Sequence, residues 1–202
     1  MELADFNART EDMWGEQDNK LQNKVSATLS KHSHEDHFDI VENYALDLHL
    51  NQYKYPSIHR ESIVITIYNY LEHALNDLCK ILSSCISSDL KLKDLNGAGT
   101  ERAILYLKKV VGFDFGNMGK ELPYIKNANM LRNQIVHNGG YLPENSKHKL
   151  NNFIGQCATL SGEPSGSVVI YSGFISELID ILVNFFEKLD EQVQLFICSH
   201  NA

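Results

Sequence analysis

Residues 57–85, SIHRESIVITIYNYLEHALNDLCKILSSC, decide the fold. Within them Ile63, Ile67, Leu71, Ala74, Leu78, Ile81 and Cys85 recur at steps of four and three, the apolar stripe of a long amphipathic helix. A strand cannot use that pattern, because it turns alternate residues to one face. Ser57 stands ahead of the stripe as a cap, and Pro56 marks a boundary with the segment before it. A stripe of this length needs partners, since helices in water are stabilised mainly by packing that face.

The rest of the chain supplies them. Tyr124, Ala128, Leu131 and Ile135 recur at helical spacing behind Pro123, and Gly139-Gly140 is a C-terminal stop. Tyr171, Ile175, Leu178, Leu182, Phe185, Leu189 and Phe196 mark a long last helix after Ser172-Gly173-Phe174. Shorter helices are expected over about 35–53, with Phe38, Val41, Ala45 and Leu48 as its stripe and an end before Pro56. Two more are expected from the cap Thr100 through Val111 to Gly112, and from Asn145 or Ser146 to about Phe153. Ser161 to Gly166 reads as a loop, and Val168 to Tyr171 as a short strand or a buried extended run. The fold class is therefore all-α, a bundle of long helices with one irregular or short β excursion near 160–171.

Residues 1–20 are acidic and polar, with Trp14 the only large anchor, and are expected to form a flexible N-terminal arm; residues 21–202 form a single helical domain. The four cysteines, Cys79, Cys85, Cys157 and Cys198, make no CxxC pair, and residues 1–20 hold no leader-like apolar run. A reduced, cytoplasmic setting is expected. Asp180, Asn184 and Glu187 interrupt the last helix, which argues against a membrane span.

Chemistry concentrates at Arg132-Asn133-Gln134-Ile135-Val136-His137, followed at once by Asn138-Gly139-Gly140. Arg offers a planar fork of donors that grips phosphate, and His gives and takes protons near neutrality. His137 lies in the last turn of its helix, where the dipole favours imidazolium and the end is open to a ligand. Arg132 and His137 are five apart, about 140° around an ideal helix, whereas Asn133 and His137 share a row at i and i+4. Convergence of Arg and His on one phosphate would be easier with a second copy of the helix facing the first, so a homodimer through this helix is expected.

With its surroundings the segment resembles the HEPN superfamily, helical proteins that include metal-independent ribonucleases of toxin–antitoxin, abortive-infection and RNA-guided defence systems. Their hallmark is Arg, often followed by Asn, four to six residues before His, and Arg132, Asn133 and His137 match it. The resemblance covers roughly residues 57–195, through the upstream helix with Tyr70-Leu71-Glu72 and the final helix; the first fifty residues match nothing. It implies an endoribonuclease that needs no metal or other cofactor and acts as a toxin or phage-defence effector, with an antitoxin or defence-system protein as a possible partner.

The chain carries a net charge of −8, which by itself argues against a nucleic-acid partner. Residues 91–149 reverse that, with ten Lys or Arg against five acids, so that this third holds +5 and the rest −13. Lys108, Lys109, Lys126, Lys147 and Lys149 are the candidate RNA contacts, weighed against their being solvated surface lysines. Glu72, beside the core stripe, would seek a cation, and Arg132 is the candidate partner that it would orient; the alternative is a carboxylate reaching water. Tyr70, Asn129 and Tyr141 could approach the same cleft. The string His32-Ser33-His34-Glu35-Asp36-His37 spells the HxHxDH metal-binding motif of the metallo-β-lactamase superfamily. There, however, the string follows a buried strand in an αββα sandwich; here weakly apolar Val25 to Ser30 precede it and a helical stripe follows. It is read as a solvated, His-rich helix start, and no metal is assigned.

The resulting expectation is RNA cleavage by 2′-hydroxyl transesterification. Arg132 would bind the scissile phosphate, Asn133 would bond the phosphate or hold His137, and His137 would act as general base or acid. The alternative is a non-catalytic helical module of a toxin–antitoxin or defence system that binds RNA or protein, with His137 a C-cap histidine.

Overall fold

The structure, a computed structural model, describes residues 2–86 and 88–200. Helices dominate it, and its two short strands form one antiparallel pair, as an all-α bundle with a small β excursion requires. The long stripe of residues 57–85 forms α3 (Tyr55–Cys85), which packs against α4 (Gly99–Tyr106), α5 (Glu121–Asn138) and α7 (Ser172–His200). Helix α5 packs in turn on α7 and on α6 (Lys149–Gln156). Leu71 and Leu75 of α3, Leu131 of α5, and Ile175 and Phe185 of α7 are sealed in the shared core. Each contributes about 2 kcal/mol by leaving water.

Beyond Leu71 the face that α3 buries is rotated from the expected one. Leu75, Cys79 and Leu82 are buried, whereas Ile81 is 63% exposed and Cys85 lies at the surface. From Leu71 onward the expected stripe averages 3.5 residues per step and drifts off a straight helix of 3.6 per turn. Helix α4 also covers the other row: the Cys79 thiol donates to the Ala103 carbonyl at 3.6 Å, and the Tyr68 and Thr100 hydroxyls are hydrogen-bonded to each other. Thr100 is thus a buried partner of Tyr68 and not the cap of α4, whose cap position is Ala98. The helix runs on through a widened π turn, Leu107–Val111, and ends at left-handed Gly112 (φ 89°).

Residues 2–20, expected to belong to a flexible arm, are helical instead. Glu2–Leu29 is one helix, α1, packed on α2 (His37–His49), α3 and α7. Its composition misleads because specific bonds hold it where burial does not: Glu11 accepts from Arg60 Nε at 2.7 Å and Nη2 at 2.6 Å, and Trp14 stacks on Tyr55 with ring centroids 5.6 Å apart. The expected stripe of α2 is also shifted, for Phe38 is 75% and Val41 43% exposed while Ile40, Tyr44 and Leu48 are half-buried. Nor does the chain break before Pro56. A π turn, Leu50–Lys54, carries α2 directly into α3, with the Tyr55 N–H reaching back to the Leu50 carbonyl. Proline lacks an N–H and crowds the turn before it, and the widened turn accommodates both defects.

Strands β1 (Leu160–Ser161) and β2 (Val169–Ile170) pair with Leu160 opposite Ile170. Helix α6 starts later than expected, because His148 Nδ1 caps it by accepting from the Leu150 N–H, while Asn145 closes the preceding turn onto the Lys147 N–H. Tyr171 is 46% exposed and precedes α7, so it leaves the buried stripe; Ile175, Leu178, Leu182, Phe185, Leu189 and Phe196 keep it. Among the described residues no helix is long and apolar enough to cross a membrane.

Candidate functional site

Helix α5 buries Ile125, Ala128, Leu131 and Ile135 and thereby turns Arg132 and Asn133 half outward and His137 to solvent. Its end is fixed by two left-handed glycines, Gly139 (φ 59°) and Gly140 (φ 79°), whose N–H groups both donate to the Gln134 carbonyl. The β excursion then clamps the exit. Val168 N–H donates to the Gly140 carbonyl at 2.9 Å, Leu142 N–H to Gly166 at 2.8 Å, and the Gln134 amide to the Tyr141 carbonyl. His137 is thus displayed from a rigid end.

The Arg132 guanidinium is held on both sides. Nη2 donates to Asn69 Oδ1 of α3 at 3.0 Å, and Nη1 to Asn133 Oδ1 at 3.0 Å. Because Asn133 stands one turn from His137 on the same row, that second bond draws the fork around α5 towards the histidine. Of the five donors of an arginine, two are used, and Nε is buried without an acceptor. Asn133 therefore serves Arg132 in this state and makes no bond to His137. The His137 ring has no hydrogen bond or ion pair among the described residues.

Glu72 does not pair with Arg132. Its carboxylate lies against the start of α4, so close that a Cβ on Gly99 would sit 3.1 Å from Oε2. The N-terminal end of a helix favours an anion, which explains why Glu72 turns there and leaves Arg132 to a neutral amide. The same corner holds Tyr68, whose phenol is pushed up to about 12 by burial, with the Thr100 hydrogen bond opposing and Glu72 and Glu101 adding. Asn69 is the residue that sequence reasoning missed. It stands three before Glu72 on one face of α3, but reading by charge selects the carboxylate over the amide.

The candidate RNA-binding lysines differ in their surroundings. Lys126 is tied to Glu101 at 3.0 Å, so its charge is already matched. Lys108, Lys109, Lys147 and Lys149 are exposed and carry no ion pair among the described residues. Lys147 and Lys149 flank the cap of α6, on the segment that leaves the motif helix, whereas Lys108 and Lys109 lie in the π turn that follows α4. Tyr141 is 60% and Tyr70 69% exposed, the latter packed edge-on against Phe186, and Asn129 is half-buried.

The histidine string 32–37 closes a turn. His37 Nε2 lies 3.0 Å from the Leu29 carbonyl and 3.3 Å from that of His32, and the Ser33 hydroxyl donates to Asp36 at 2.7 Å. His37 thus serves carbonyls at the end of α1. Among the described residues no three His, Cys, Asp or Glu side chains are grouped to hold a metal ion. Compared with known proteins, the chain matches no family model, and no curated protein or solved structure is significantly similar to it.

Proposed function

We propose that the chain is an endoribonuclease that cuts RNA by attack of the RNA's own 2′-hydroxyl on the adjacent phosphorus, without a metal. The observation that carries this reading is the Arg132 fork, steadied by Asn69 and Asn133 with donors to spare, five residues before a His137 ring that makes no hydrogen bond or ion pair among the described residues. In the reaction the 2′-oxygen forms a bond to phosphorus and loses its proton to a base, the bond to the 5′-oxygen breaks, and that oxygen takes a proton from an acid. His137 fills the base or acid role, and Arg132 offsets the charge that grows on the phosphoryl oxygens. The likeness of RNQIVH to the HEPN motif supports the same chemistry and a place as a cytoplasmic toxin or phage-defence effector, dimeric through α5 and restrained by a partner protein. The experiment is incubation of wild type and His137→Ala with tRNA and mRNA in EDTA, followed by end analysis. Wild type leaves 2′,3′-cyclic phosphate or 3′-phosphate and 5′-hydroxyl ends and spares DNA. Ends bearing 5′-phosphate, or cleavage only with added metal, sink the mechanism.

A second reading has its own observation. Both bonds of Arg132 go to asparagines of its own chain, as they would for an arginine whose task is to join α3 to α5. The protein would then be a non-catalytic helical module that binds RNA or a partner protein. It predicts no cleavage by wild type, and RNA or partner binding that His137→Ala leaves intact.

A further inference from the structure

Outside the motif, the C-terminal half of α3, residues 88–93 and α4 enclose a cavity of about 420 Å³. Its charged lining is of one sign, namely Lys80, Lys91, Lys93 and Arg102. Asp77 takes Lys80 at 2.7 Å, and Asp94 is turned onto the backbone N–H of Lys91 at 2.9 Å. Lys91, Lys93 and Arg102 have no ion pair among the described residues. Three like charges converging on one hollow without a counterion repel one another unless an anion joins them.

Two further atoms lack partners. Arg102 is half-buried, its Nε is shut off from water, and among the described residues no atom accepts from its guanidinium. Tyr106, which lines the cavity, is 1% exposed, and its buried hydroxyl has no hydrogen-bond partner among the described residues. A buried polar group left unpaired costs about 1–3 kcal/mol, so native folds keep such groups for a reason. The other polar side chains here are occupied: the Cys79 thiol donates to Ala103 and the Ser83 hydroxyl to Lys80. The donors left over, a guanidinium, two ammonium groups and a phenol, are those that grip a phosphate. Leu90 and Leu92 add an apolar wall for the group that carries it.

We propose that this cavity binds a small phosphate monoester, with Arg102 and Tyr106 holding the phosphate in the interior and Lys91 and Lys93 closing on it from the rim. The size favours a small molecule, since about 420 Å³ is near the lower end of ligand pockets. The site is separate from Arg132 and His137 and does not depend on the ribonuclease reading.

The test uses the full chain with adenosine 5′-monophosphate, inorganic phosphate and adenosine, at ionic strength matched with sodium chloride. Thermal melting and calorimetric titration supply the readouts. The monophosphate should raise the melting temperature by about 5 °C at a hundredfold excess over its Kd. Phosphate should do so more weakly, and adenosine not at all. Arg102→Gln should weaken binding of the monophosphate at least about tenfold, and Tyr106→Phe, which keeps the core ring, about threefold. The surface pair Lys91→Gln with Lys93→Gln leaves the fold untouched and should flatten the salt dependence. Adenosine acting as well as its monophosphate, or an unchanged Kd in folded Arg102→Gln and in the lysine pair, would overturn the site. Tighter binding of a short RNA than of the monophosphate, with the same Arg102 dependence, would overturn the small-molecule assignment.

Discussion

Arg132 Nη2 and Asn69 Oδ1 lie 3.0 Å apart, a bond that fastens the motif helix to a helix 63 residues upstream. A hydrogen bond to a charged group contributes about 1.5–3 kcal/mol. If that bond sets the direction of the guanidinium, Asn69→Ala should lower the RNA cleavage rate about tenfold, with helix content unchanged by circular dichroism. An unchanged rate in a folded variant would show that the fork is directed by Asn133 alone.

Arg132 and His137 should separate stability from activity. The His137 side chain is exposed and unbonded, so His137→Ala should leave urea denaturation within about 0.5 kcal/mol of wild type. Cleavage should fall by about 100-fold or more. Arg132→Ala strands the Asn69 acceptor and should cost about 1–2 kcal/mol in addition to activity. In cells, both variants should relieve growth arrest caused by wild type at equal soluble levels. Equal toxicity of all three would assign the arrest to another cause.

Which parts were legible in the sequence follows from what each signal depends on. Helices α3, α5 and α7, the Gly139-Gly140 stop and the 160–171 excursion were readable because they rest on periodicity and local turn chemistry, and these survive without tertiary knowledge. The docking of α1 was not, because it hangs on Glu11 meeting Arg60 across 49 positions, and a polar helix with Asn7 and Val25 as its only buried side chains among the described residues carries no stripe to read. At the site, the Arg132-Asn133-His137 string stands out in the sequence as a pattern, but the residue that Arg132 bonds on α3 does not. Charge complementarity selected Glu72, whereas the start of α4, created only by the left-handed Gly99 (φ 54°), claimed that carboxylate first.

Glu121 predicts an acid limit to stability. It is 4% exposed at the start of α5, and its Oε1 accepts from Lys188 Nζ of α7 at 2.7 Å. That bond holds its carboxyl below the usual range, against the opposing effect of burial. A carboxylate with a lowered folded pKa binds fewer protons than in the unfolded chain, so its stabilisation is complete above about 4.5 and is lost as pH falls through the folded value. Lys188→Met, which strands the buried carboxylate, should destabilise by about 2 kcal/mol, less than a fully sealed pair because Lys188 is partly exposed. Its melting temperature should then rise on mild acidification where that of wild type falls. Matching pH profiles would remove Glu121 from the account.

The seat of α1 should loosen in mild acid. His59 packs beside Phe6 of α1, with ring centroids 6.1 Å apart, and its Nε2 is buried without a partner. Burial lowers its pKa, Glu11 opposes that and Arg60 adds to it. The unfolded chain therefore takes up the proton more readily, and the contribution of His59 is complete above 6.5 and lost as pH falls towards the folded value. Amide exchange in residues 3–29 should quicken between pH 7 and 5 more than exchange in α5, and His59→Gln should blunt the effect. Equal acceleration in both helices would indicate global unfolding.

The number of proton carriers predicts a dimer if the proposed cleavage holds. Transesterification needs a base for the 2′-hydroxyl and an acid for the leaving 5′-oxygen, and the motif offers one histidine per chain. The side chains hydrogen-bonded to Arg132 are the amides of Asn69 and Asn133, which carry no titrating proton. A two-fold axis beside the C-terminal end of α5 would supply the second imidazole and set two arginine forks along one RNA backbone. The exposed Val136, at 45%, and Tyr141, at 60%, lie at that end and give such a contact apolar surface to bury. Mass by light scattering, followed through a dilution series with activity per molecule, tests the arrangement. Activity should fall in step with dimer content. In mixtures, His137→Ala and Arg132→Ala chains should restore part of the activity that each lacks alone if each site draws its arginine and histidine from different copies. A monomer with full activity per molecule at every dilution would instead require one histidine to serve both proton transfers in turn.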